Sequence, residues 1–91
     1  MSDKKAKPGQ ITKKIGDTEY TFQRVMNSAW LDITTRCRDR QGNTSEKLII
    51  QSALEHIVVN PRMEMDDFPT YEDMMEVVQE ALQFQTGVSF R

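Results

Sequence analysis

Very few side chains in this chain of 91 residues could carry covalent chemistry, and they do not assemble into a set. There is one cysteine, Cys37, and one histidine, His56. A thiolate beside an imidazole makes a nucleophile and base pair, but nothing in the spacing of these two joins them. A metal site would need further soft ligands at ligand spacing, such as a second histidine four residues away or paired cysteines. Cys37 reads instead as a small buried thiol on the face of Trp30 and Ile33, and His56 as a structural or surface residue. The acidic run Glu64, Asp66, Asp67 lacks the alternating oxygen ligands, central glycine and twelfth-position glutamate of a calcium loop. The four glycines, at 9, 16, 42 and 87, are isolated, so no phosphate-cradling loop is present. The expectation is a non-enzyme with no cofactor and no metal.

The same segment carries a different signal. Met63, Met65, Met74 and Met75 cluster near Phe68 and alternate with acids in "RMEMDDFPTYEDMM". Flexible thioethers suit surfaces that hold varied apolar segments. Neighbouring acids keep such a surface soluble and discourage self-association. Met63, Met65, Phe68, Met74 and Met75 are therefore the candidate partner-binding residues. Met63 and Met65 are the best placed for exposure, and the occupant would be an amphipathic helix laid in a groove. The competing reading is that these methionines fill a small core, as Met74 does by its spacing.

Elements must position that segment. Residues 11–23, "ITKKIGDTEYTFQ", predict a β-hairpin turning at Gly16-Asp17, with Tyr20 and Phe22 alternating against polar neighbours. A lone hairpin is marginal in water, so its apolar face must lie on helices or extend another chain's sheet. Its outer edge is a second candidate docking surface. Residues 27–43 predict a helix capped by Asn27 or Ser28, with Trp30, Ile33 and Cys37 on one face and Gly42 as its stop. Residues 45–61 predict the most buried helix, capped by Thr44 or Ser45 and ended by Asn60-Pro61. Residues 70–87 predict a third helix, with Thr70 and Asp73 in a capping-box relationship and Gly87 as its close.

The fold class expected is mainly α within α+β: an N-terminal β-hairpin followed by a three-helix domain. Residues 11–87 form its single domain. Residues 1–10 are expected as a flexible basic tail with three lysines, and 88–91 as a short C-terminal tail. One cysteine forbids an internal disulfide, and no apolar run reaches the roughly 18 residues of a membrane span. No apolar stretch follows the N-terminal charge as a secretion signal would require. These features point to a soluble cytoplasmic protein.

Charge is unevenly placed. Residues 1–47 carry 10 basic and 6 acidic residues, a net of +4, while residues 48–91 carry 2 and 8, a net of −6. Such asymmetry can steer partners or head-to-tail self-association. Nucleic-acid binding would use the lysines near the N-terminus with Arg36, Arg38 and Arg40, through a helix-turn-helix joined at Gln41–Ser45. Asp32 and Asp39 among those arginines, an acidic third helix and an isoelectric point near 5.3 weigh against it.

The run "ITKKIGDTEYTFQRV", "SAWLDITTRCRDRQGN", "HIVVNPRMEMDDF" and "ALQFQTG" resembles the small tail assembly chaperones of long-tailed bacteriophages and prophages of Gram-positive hosts. The resemblance covers residues 11 to 87, and its most specific part is "VVNP" followed by "MDDF" and an acidic helix. It implies a non-enzymatic protein of the host bacterial cytoplasm that binds the tape measure protein and keeps it soluble. It also implies a part in tail tube assembly, with the tail tube protein as a further partner. In many members a programmed frameshift yields a longer product that contacts the tube protein. The alternatives are a small helical nucleic-acid-binding regulator and a structural adaptor in a self-assembling complex, for which the partner would be a homo-oligomer.

Overall fold

The computed structural model describes residues 9–87. The two tails expected at 1–10 and 88–91 lie outside the described residues, apart from Gly9 and Gln10. The chain runs β1 (Gln10–Ile15), β2 (Thr18–Gln23), α1 (Asn27–Thr35), α2 (Glu46–His56), β3 (Val58–Asn60), a 3-10 turn (Met65–Asp67) and α3 (Tyr71–Thr86). It is a mixed α+β fold in which an N-terminal antiparallel hairpin precedes three helices.

The hairpin forms where expected, with Ile15 paired to Thr18 across a two-residue turn. Gly16 there takes φ +64°, the positive value that a tight hairpin turn demands of its first residue. Tyr20 and Phe22 are buried while Glu19 and Gln23 face outward, so β2 has one wet and one dry face.

The sheet has a third strand that the sequence reading placed inside a helix. The α2 helix ends at His56, Ile57 forms its cap, and Val58–Asn60 pairs antiparallel with β2. Ile57, Val58 and Val59 are all β-branched, which costs rotamer freedom in a helix and suits a pleated surface. Gln23 N–H donates to Ile57 C=O at 2.7 Å, extending the ladder. The strand order is β1-β2-β3, so this chain's own β3 fills one edge of the hairpin and β1 forms the other. The Asn60-Pro61 peptide at the strand's end is cis.

A second correction concerns α1, which stops at Thr35 rather than near residue 43. Asp39 accounts for the difference. Its carboxylate Oδ1 accepts from the N–H groups of both Gln41 and Asn43 at 2.9 Å, folding the chain into a turn in competition with helix. Gly42, at φ +85°, serves this turn and is not a helix cap. The join between α1 and α2 therefore spans residues 36–45, longer than the 3–4 residues of a helix-turn-helix. Neither Asn27 nor Ser28 caps α1; Met26 holds that position without a side-chain bond. Cys37 still falls beside Ile33, whose carbonyl its Sγ approaches at 3.2 Å, and it is buried.

The starts of α2 and α3 and the close of α3 agree with expectation, except that among the described residues Asp73 returns no bond to Thr70 N–H to complete a capping box. Ser45 accepts from Leu48 N–H, Thr70 accepts from Asp73 N–H, and Gly87 closes α3 at φ +76° in the left-handed region. The α2 and α3 helices cover the inner face of the sheet. Phe22, Ile57, Val58, Val77 and Val78 are the largest fully buried side chains, and Trp30 brings α1 onto the same core. At the sheet's margin Lys13 Nζ meets Glu80 Oε1 at 2.6 Å. No helix among the described residues is long and apolar enough to cross a membrane.

Candidate protein-binding groove

Residues 61–70 fold back along α2, and this return path makes the candidate site. It is tied down at its start and braced by an internal turn. The Arg62 guanidinium donates to the carbonyl of Glu55 in the last turn of α2 and to that of Val58 at the start of β3. Glu64 N–H donates to Asp67 Oδ2 at 2.8 Å, and the Glu64 side chain accepts from Asp67 N–H, a reciprocal capping box around the 3-10 turn. Inside this frame apolar and acidic side chains part. Met63 and Met65 are half-buried against the core, Phe68 is buried, and Glu64, Asp66 and Asp67 are exposed.

Two open hollows lie on either side of Met65. One, of about 480 Å³, is bounded by Glu46, Lys47 and Ile50 of α2, by Met65, Asp66, Phe68 and Pro69, and by Thr70, Tyr71 and Met74 at the start of α3. The other, of about 1030 Å³, is bounded by Gln51, Leu54, Glu55 and His56 of α2 and by residues 62–67. Met65 and Asp66 border both, so the two hollows lie side by side along α2 and together outline the candidate groove.

Of the sequence-predicted residues, Met63, Met65, Phe68 and Met74 line this groove, whereas Met75 lines neither hollow. Phe68 and Met74 belong to the core and are 9% and 7% exposed, so they form floor more than contact surface. Tyr71 and the outer face of α2 were not singled out from sequence. Tyr71, three residues before Met74, shares the spacing of the buried stripe. It is nevertheless 65% exposed. Large exposed aromatic side chains beside a hollow are the type enriched in protein interfaces.

The groove's rim is acidic. Glu46, Glu55, Glu64, Asp66 and Asp67 border it against Lys47 and Arg62, and Arg62 is turned to the backbone carbonyls described above. Asp66 has no hydrogen-bond or ion-pair partner among the described residues. Glu55 Oε1 lies 3.8 Å from His56 Nε2, both side chains being substantially exposed. The Cys37 thiol lies instead against Ile33 C=O and Ser52 Oγ. Among the described residues no group of three or more His, Cys, Asp or Glu side chains is placed to hold a metal ion. Apolar floor and charged rim together suit non-covalent capture of a polypeptide segment.

No protein-family model, curated protein or solved structure matches this chain.

Proposed function

We propose that this protein is a non-enzymatic assembly chaperone of the phage tail type. It holds an apolar helical segment of the tape measure protein along the Met65 groove, keeps that protein soluble in the host bacterial cytoplasm, and assists tail tube assembly. The observation that carries the reading is the pair of hollows meeting at Met65, with thioether and aromatic side chains below and carboxylates along the rim. Thioethers adapt to differing apolar partners without a fixed shape. The α2 helix, with 11 residues, is about 16 Å long at 1.5 Å per residue, which matches roughly three turns of a helical client.

The test is co-expression with the proposed tape measure client, followed by its soluble yield and co-purification. The expected result is a stable complex that Met63→Asp with Met65→Asp disrupts while the variant's own fold persists by circular dichroism. Unchanged client solubility with and without the wild-type protein would sink the reading. The alternative of a nucleic-acid-binding regulator requires affinity that falls steeply as salt is raised.

A further inference from the structure

We infer that the groove selects a cationic amphipathic helix: its occupant presents an apolar stripe to Met63 and Met65 and Lys or Arg side chains to the rim. The inference rests on the groove being a client-binding site and adds the chemistry of the client. Charge complementarity carries it. Five carboxylates border the groove against two cationic side chains. Arg62 is committed to the carbonyls of Glu55 and Val58, and Glu64 and Asp67 to each other's N–H groups, which leaves Glu46, Glu55 and Asp66 against Lys47. Asp66 stands where the hollows meet and has no partner of its own among the described residues. A client helix bearing acids on its polar flanks would meet like charges on both sides of the groove, which costs affinity and excludes the wrong partner. Specificity is then divided: the methionines accept many apolar stripes, and the carboxylates choose among them by charge.

The probes are two fluorescein-labelled amphipathic helical peptides with identical apolar faces, one with Lys and one with Glu on the polar flanks. Binding to the full chain is followed by fluorescence anisotropy at low and high salt, with sedimentation of the protein alone beside it. The comparison protein is Glu55→Gln with Asp66→Asn, two exposed side chains outside the capping box. The expected result is tighter binding of the Lys peptide, with a gap that narrows in high salt. The double variant should weaken the Lys peptide by about three- to tenfold, as the loss of two exposed ion pairs would. Equal affinity for both peptides, lost on Met65→Asp, would leave the groove intact as a site and overturn the charge selection. Failure of both peptides to bind would overturn the groove and the selection together. Self-association of the chain alone, abolished in the double variant, would make the occupant a second copy and overturn the proposal.

Discussion

Gln85 and Val25, 60 positions apart, are joined by two hydrogen bonds of 2.7 Å each: the Val25 N–H donates to Gln85 Oε1, and Gln85 Nε2 donates to the Val25 carbonyl. The glutamine side chain, 5% exposed, thus behaves as one more strand residue beyond the end of β2. It ties the last turn of α3 to the segment leading into α1. Beside it Arg24 donates to the Phe84 carbonyl at 3.0 Å and lies 4.8 Å over the Phe84 ring. The closure therefore combines paired amides with a cation over an aromatic face.

Gln85→Leu, close in volume, removes both bonds and leaves a part-buried donor and acceptor on Val25 without partners. The expected cost is about 2–4 kcal/mol, read as a lower urea midpoint at unchanged slope. A loss below roughly 0.5 kcal/mol would mean that water replaces the amide without penalty.

Phe22 is fully buried between the sheet and α3, its ring centroid 6.3 Å from that of Phe84. Phe22→Ala should cost about 3–5 kcal/mol through lost burial and the cavity left behind. Leu31→Ala, at a side chain 64% exposed, should stay within about 0.5 kcal/mol. Thermal melts of the two variants test the contrast, and similar destabilisation by both would contradict the placement of the core.

Thr70 begins α3 by accepting from Asp73 N–H at 3.1 Å. Thr70→Ala should destabilise the protein by about 1 kcal/mol, whereas Thr70→Ser should retain most of the cap. Chemical denaturation of both variants distinguishes a capping role from loss of the threonine methyl, which would lower stability equally in the two.

Cys37 is 4% exposed and its thiol is engaged by Ile33 and Ser52. Labelling by a thiol-reactive chromogen should be slow in buffer and fast in denaturant, tracking the opening of the join between α1 and α2. Immediate labelling of the native protein would show that the join does not close over the thiol.

Much of the chain's local structure was legible because its signals are short-range. Gly16 marks the hairpin turn, Ser45 and Thr70 mark helix starts, and Gly87 marks a helix end. Each acts through one or two neighbouring backbone groups. The misread segments are those where local signals were balanced. Apolar spacing from Leu48 to Val58 continues a helical stripe past His56, while the β-branched run favours strand. Pairing with β2, far off in sequence, decided between them. At Asp39 a side chain competing for backbone N–H groups ended α1 earlier than its spacing suggested. Methionine clustering pointed to residues 63–75, but nothing in it separated Phe68 and Met74, which belong to the core, from Tyr71, which does not.

The sequence by itself determined the fold class, the hairpin, the starts of α2 and α3, the close of α3 and the stretch in which apolar and acidic side chains alternate, since all follow from spacing and backbone preference along one segment. Only the tertiary structure decided the third strand, the Gln85–Val25 closure and the groove beside α2. These depend on pairing between groups distant in the chain, and no local pattern encodes which face of a helix another segment will lie against.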